Sequence, residues 1–291
     1  MHLIDGPLQI TPGLERYPRI ARCLMLYDWQ AKISSEWLSV AESILRKVGL
    51  EPAEGNGTFG QEKSYGSYKR IRKRLAGFLD EAAKGGARPN IKINAAPVED
   101  GEGFFPFRAE VVLNAASPAL VSVLVALDET LVKDGEELLA TCGKEIFGYL
   151  GHAYGCVWDF PCAFGPDAYL ATMIAIPSGM HSQALRSYGA RLTRWRDRRW
   201  AGLRPGSGYL REVYPINFVL DGHLSAPMGE QSLAEFMRMT GSLQPSSFDS
   251  RVYRWDVSAG NLDRVRAQLE DSGLILSAPH EPLQLPFVRN V

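Results

Sequence analysis

The sequence carries almost no net charge, no long apolar run and no standard catalytic motif. Its 32 Lys and Arg residues against 33 Asp and Glu residues leave a net charge of −1. That balance argues against a protein whose whole surface attracts polyanions. The longest apolar run, residues 120–127, is far shorter than the roughly 18 residues that span a bilayer. The N-terminus also lacks the basic and apolar segments of a signal peptide. The sequence therefore predicts a cytoplasmic protein with no membrane partner.

Cysteine and histidine are also scarce, and neither is arranged as a metal site. The four cysteines form no CxxC pair, and their spacing fits no common zinc motif. We predict reduced, buried thiols, and we expect neither a metal nor a cofactor. An enzyme of unrecognised type stays open as an alternative, because His152 lies near Cys156 and Asp159 in the sequence. The cysteines are Cys23, Cys142, Cys156 and Cys162.

What the sequence does contain is typical of a folded globular protein. Of 291 residues, 45% are hydrophobic and 22% charged, so a sizeable core can form. Period-two and period-3.6 patterns predict eight or nine strands and about six helices that do not alternate strictly. This order favours an α+β fold with a mixed, mostly antiparallel sheet or sheets and packed helices. A shared pattern near residues 20–95 and 121–160 raises the alternative of a pseudo-duplicated α/β unit.

Two local expectations concern loops and domain boundaries. Residues 54–66 are rich in Gly, Ser and Asn and are predicted to form a loop. Within them GNGTFG (55–60) resembles a phosphate-binding loop, but no strand is predicted immediately before it and no Gly-Lys-Ser or Gly-Lys-Thr sequence follows it. A strand is predicted over 169–176. The Gly-rich stretch 202–208 divides the chain into a main region, 1–202, and a C-terminal region, 203–291, packed into the same globule.

Clusters of basic residues are the strongest local signal. Two predicted helices, 69–74 and 186–199, carry rows of Lys and Arg. Between Arg186 and Arg211 there are eight arginines and one acid, with four aromatic residues among them. Three interpretations stay open: a solvated helix flank whose stems cover apolar surface, a protein interface, or a surface that binds nucleic acid or a nucleotide.

Three groups of predicted elements follow one another along the chain. The first segments are IARCLMLY and SSEWLSVAESILRKVGL, an N-terminal strand and an amphipathic helix. FRAEVVLN, LVSVLVAL and GYLGHAYGCVWDF follow in the middle of the chain. The last are INFVLDGHLSAPMGEQSLAEFM and VYRWDV, followed by a C-terminal helix. This order of segments resembles that of bacterial immunity proteins of type VI secretion and related polymorphic-toxin systems. The resemblance implies a protein without catalytic residues that neutralises a cognate toxin by covering it.

Candidate contact residues follow from this hypothesis. Tight binding commonly depends on a central cluster of aromatic and arginine side chains. The predicted cluster consists of Trp195, Arg198, Arg199 and Trp200. If the toxin is a nuclease with a basic groove, an acidic loop is the better candidate, and it carries Glu99, Asp100 and Glu102. The alternative function is a nucleic-acid-binding accessory factor, for example in phage defence, acting through the two basic helices.

Overall fold

The structure of the chain is a computed structural model. It describes residues 18–28, 32–85, 87–98, 105–117, 120–151, 153–171, 173, 176, 180, 183–203, 208–280 and 282. Within these residues the chain forms eight α-helices, two short 3₁₀ helices and twelve strands. None of the helices in this described part is both long enough and apolar enough to cross a lipid bilayer.

The elements follow one another in a mixed order. The helices are α1 (Glu36–Lys47), α2 (Tyr68–Ala83), α3 (Gly135–Leu150), α4 (Pro166–Leu170), α5 (Gln183–Trp200), α6 (Asp221–Leu224), α7 (Leu233–Thr240) and α8 (Leu262–Asp271). The first six strands are β1 (Ile20–Asp28), β2 (Pro52–Phe59), β3 (Glu62–Ser67), β4 (Pro89–Pro97), β5 (Phe107–Ser117) and β6 (Leu120–Asp128). The others are β7 (Tyr154–Pro161), β8 (Ile216–Leu220), β9 (Pro227–Met228), β10 (Gln231–Ser232), β11 (Ser242–Pro245) and β12 (Val252–Asp256).

Ten of the strands form one sheet, in the order β11-β12-β8-β7-β1-β6-β5-β4-β2-β3, and β9 and β10 form a small separate ribbon. Every pairing between these strands is antiparallel. The predicted α+β class with a mostly antiparallel sheet is therefore confirmed. Strand β8, from the predicted C-terminal region, pairs with β7 from the main region. The proposed boundary and the pseudo-duplication stay predictions.

The two faces of the sheet are covered differently. On the inner face, α2 packs on β2, β3 and β4, while α3 packs on β1. On the outer face, α4 packs on β6 and β1. Consequently β1, β6 and β7 are buried along almost their whole length, as strands covered on both faces must be. Among the described helices, α2 covers β2, β3 and β4 on the inner face, while α4 reaches the outer face of β4 through Asp167.

Two local predictions were wrong. Residues 54–66, predicted to be a loop, form most of the β2–β3 hairpin, with Asn56 opposite Tyr65 and Gly57 opposite Ser64. Glycine has a low propensity for strands, which is why the composition suggested a loop. The strand predicted over 169–176 is also wrong where the structure describes it, because Tyr169 and Leu170 end the short helix α4. Pro166 at the start of that helix favours this geometry.

Candidate functional site

The candidate site is the outer face of β2, β3, β4 and β5, here called the open face. Side chains alternate between the faces of a strand, so the register places every second residue of these four strands on it. Tyr65, Asn56 and Asn90 are exposed, while Thr58, Lys92 and Asn114 are half-buried. Polar side chains on one face with apolar ones on the other are typical of an antiparallel sheet that meets solvent.

Glycines on the inner side of the same hairpin allow helix α2 to pack closely behind the open face. A β-carbon on Gly55 would lie 2.9 Å from Ile71 Cδ1, and one on Gly57 would overlap Leu75 and approach Ile91. The absence of these β-carbons lets α2 approach the backbone of β2 closely. Asn56 and Thr58, on the alternate positions, therefore point outwards from a well-supported strand.

A cavity of about 260 Å³ lies between the open face and α4. The sheet contributes mainly amide and hydroxyl side chains to its wall, whereas α4 and the residues after it contribute Asp167 and several apolar side chains. Such a cavity is near the lower size limit of small-ligand pockets. It has room for one large side chain of a partner or for a small polar molecule. The lining residues are Asn56, Thr58, Asn90, Lys92, Val112, Asn114, Asp167, Ala168, Leu170, Ala171 and Met173.

Lys92 connects the sheet to α4 through two carboxylates. Its Nζ lies 2.5 Å from Glu110 Oε2 and donates a hydrogen bond of 2.8 Å to Asp167 Oδ2. Glu110 is fully buried, and its contact with Lys92 is an ion pair without an aligned hydrogen bond. The Lys92 side chain is partly exposed and lines the cavity, so its ammonium can also donate to a group that enters there.

Burial and the neighbouring charges shift the pKa values of Glu110 and Lys92. Burial raises the pKa of Glu110 to about 7, with a further contribution from Asp167, although Lys92 opposes the rise. Burial acts to lower the pKa of Lys92, but the charges of Glu110 and Asp167 outweigh it and raise that pKa overall. Near neutral pH the Lys92 ammonium is therefore charged, while the Glu110 carboxyl is only partly ionised.

Among the predicted contact residues, the prediction for Trp195 was wrong. Its side chain is fully buried, its ring packs on Tyr27, and the Arg211 guanidinium lies 5.6 Å from its ring centre. A residue inside the core cannot touch a partner while the chain is folded. The apolar stripe of α5, which includes Leu185, Tyr188 and Leu192, pointed to this inward position.

The described arginines of α5 mostly hold the chain's own C-terminal segment. Arg198 donates hydrogen bonds to the carbonyl oxygens of Leu276, Ala278 and His280. Arg194 donates one to the Ser277 carbonyl oxygen. Arg191 pairs with Glu212 and Glu270, and Glu212 also pairs with Arg266. These contacts show that the described arginines of α5 hold parts of the chain together. They favour the first of the three interpretations, a helix flank whose arginines serve the fold, over a binding surface.

The remaining predicted contact residues cannot be placed. Residues Arg199 and Trp200 lie in α5, but their side chains are outside the described part of the structure. Glu99, Asp100 and Glu102 lie outside the described residues altogether. Their proposed roles stay predictions.

The two described residues behind the alternative of an enzyme, Cys156 and Asp159, are not brought together. Cys156 and Asp159 lie on opposite faces of β7, as their odd spacing requires. Asp159 accepts a hydrogen bond from Arg22, and Cys156 is buried beside Met25 in the register. His152 lies outside the described residues. All four cysteines are buried and reduced, and burial raises the pKa of Cys162 to about 12, which disfavours a reactive thiolate there.

Comparisons with known proteins identify no family for this chain. No protein-family model matches the chain, and no curated protein matches it significantly. Among solved structures, the chain is similar to a T6SS protein of Pseudomonas aeruginosa, with 10% sequence identity and a TM-score of 0.48. The match covers 88% of this chain and 73% of that protein. At this identity and TM-score, the similarity carries no argument about function.

The open face was not predicted from the sequence, because the β2–β3 hairpin that carries it was predicted to be a loop. One signal for it is present in EGNGTF, where Gly55 and Gly57 alternate with Asn56 and Thr58. Alternation of this kind is the strand pattern, with glycine in the place of the apolar residue. Lys92, Glu110 and Asp167 are far apart in the sequence, and only the pairing of β4 with β5 and the position of α4 bring them together.

Proposed function

We propose that this protein is a non-enzymatic binding protein that neutralises a cognate bacterial toxin of a type VI secretion or related system by covering it. The open face is the observation that carries the proposal. It is a polar surface, supported by a large sheet, with a cavity that can accept a side chain of the partner. The order of the sequence segments, which resembles that of immunity proteins, supports the identity of the partner as a toxin.

The composition of the open face agrees with a role in protein binding. The hairpin places Asn56, Tyr65 and Ser67 on this face, which are residue types that antibody paratopes use for adaptable hydrogen bonds and rigid contact area. Tyr65 has 68% of its surface exposed, and Met173 at the cavity has 57% exposed. Tyrosine and methionine are enriched in protein interfaces.

The test begins with the full-length tagged chain expressed in its source bacterium. A stoichiometric partner is purified with it, identified, and expressed alone in a laboratory bacterium. We expect this partner to stop growth and co-expression of the chain to restore it. A partner that does not impair growth, or growth that the chain does not restore, contradicts the proposed neutralisation.

A matched pair of variants tests the surface. Tyr65→Asp introduces a charge on the open face, whereas Met239→Asp introduces one at a residue with the same exposure, 67%, on α7. We expect Tyr65→Asp to weaken binding of the partner at least tenfold, because an interfacial aromatic residue commonly contributes that much. Met239→Asp should leave it unchanged. Equal effects of the two variants would exclude the open face as the contact surface.

A further inference from the structure

The N-terminal half of α2 presents a surface of unpaired cations, separate from the open face. Of its five basic residues, Arg72 pairs with Glu42 and Arg74 pairs with Glu62. The other three, Lys69, Arg70 and Lys73, are exposed, and none of the described carboxylates lies within ion-pair distance of them. They are here called the α2 patch. The patch is local, because the whole chain has a net charge of −1.

The fold does not benefit from these charges. Lys69 and Arg70 lie in the first turn of α2, where the helix dipole disfavours cations, and that turn contains no acidic residue. Lys69 and Lys73 are four residues apart, so their like charges repel one another along the helix. Asp80 and Glu81 lie towards the other end of the helix, where the dipole disfavours anions. The charge order of α2 is thus the reverse of a stabilising one.

We propose that the α2 patch binds an acidic segment of a protein partner. The inference rests on the proposed function in one respect, which is that the partner is a protein. The Arg70 guanidinium lies against Gly66 of the edge strand β3, so the patch extends to the border of the sheet. A partner seated on the open face can reach it around this edge.

The surroundings of the patch favour an acidic protein over nucleic acid. Lys69 and Lys73 are separated by about one helical turn, roughly 6 Å along the axis, which provides only a short track for a phosphate backbone. Binding of single-stranded nucleic acid also relies on stacking of bases on aromatic side chains. The exposed aromatic residue near the patch, Tyr65, points to the opposite face of β3 and donates a hydrogen bond to Glu54.

Charge reversal with a matched control tests the inference on the full-length chain. The test variant is Lys69→Glu/Arg70→Glu/Lys73→Glu. The control is Lys144→Glu/Arg238→Glu/Arg264→Glu, which reverses three exposed residues on α3, α7 and α8 and changes the net charge equally. None of these three residues forms an ion pair with a described carboxylate. The probes are fluorescent poly-L-glutamate and a single-stranded oligonucleotide with the same number of charges, at low salt. Anisotropy titrations give the affinities.

We expect the wild type to bind poly-L-glutamate more tightly than the oligonucleotide. The test variant should lose at least tenfold of that affinity, and the control variant no more than twofold. The melting temperature of the test variant should equal or exceed that of the wild type, because the new acids suit the N-terminus of α2. If the test variant loses binding but keeps its melting temperature, unfolding does not explain the loss.

Three results would overturn the inference. They are poly-L-glutamate binding that both triple variants reduce equally, no binding of poly-L-glutamate by the wild type, and tighter patch-dependent binding of the oligonucleotide. The last result assigns the patch to nucleic acid. None of these results depends on growth rescue, so failure of the patch and failure of the proposed toxin neutralisation are distinguished.

Discussion

At the scale of single residues, Glu110 is an acid whose environment differs strongly from water. It is fully buried, and its nearest cation, Lys92, is shared with Asp167. Because burial raises its pKa to about 7, the folded protein keeps a proton that the unfolded chain, with an ordinary pKa of 4.5, has already released. The stabilisation is therefore complete below about pH 4.5 and is lost as the pH rises through 7.

The variant Glu110→Gln tests this account. Glutamine has no proton to lose, so the difference in the free energy of unfolding between variant and wild type should shift in favour of the variant between pH 5 and pH 8. The pKa difference corresponds to a shift of up to about 3 kcal/mol. Urea denaturation at a series of pH values measures it. A difference that does not change with pH would show that Glu110 ionises normally.

At the scale of elements, the β2–β3 hairpin and α2 form one unit joined by close packing. Gly55 and Gly57 face Ile71 and Leu75, and both of these helix residues are buried. The same unit carries the open face on one side of the sheet and the α2 patch on the other. Its packing therefore supports both proposed contact surfaces.

Two glycine-to-alanine variants with opposite expected signs test this packing. Gly57→Ala places a β-carbon against Leu75 and should destabilise the protein by about 1–3 kcal/mol, the usual cost of overpacking a core. Gly77→Ala, on the exposed side of α2, has no atom within 4 Å of its new β-carbon and should stabilise by about 0.5–1 kcal/mol. Thermal and chemical denaturation measure both. Equal effects would mean that α2 does not pack closely on β2.

At the scale of the whole molecule, the sheet joins the regions 1–202 and 203–291. Strand β8 pairs with β7, and Arg191 on α5 pairs with Glu212 and Glu270 of the later region. Separating the two regions from each other would expose the edges of β7 and β8 and leave buried charges unpaired. Both changes are strongly unfavourable.

Unfolding of the full chain is expected to be a single cooperative transition. Trp37 belongs to the first region and Trp255 to the second, and both are fully buried. Variants that retain tryptophan only at one of these two positions should report the same midpoint by fluorescence, and calorimetry should give one peak. Two separated midpoints would instead show that the regions fold as independent domains.

Local pattern was enough to predict the α+β class, the buried run of β6 and the amphipathic helices α1 and α2, because burial of alternate or every third to fourth side chain leaves a direct trace in the sequence. The hairpin that carries the open face was missed, since glycine stands where an apolar residue marks a strand. Trp195 was predicted to contact a partner because of its residue type, although it belongs to the apolar stripe of α5 and the fold buries it.

The sequence by itself determined which segments are apolar, charged or turn-forming, and so the class of fold. Only the tertiary structure decided which charges find partners: Arg191 and Arg198 are engaged across the fold, whereas Lys69 and Lys73 meet no described carboxylate. It also decided that Lys92 and Asp167 line one cavity and that Lys92 pairs with the buried Glu110. The physical reason is that ion pairing and desolvation depend on distances in space of a few ångströms, which residues far apart in the chain reach only when the strands pair.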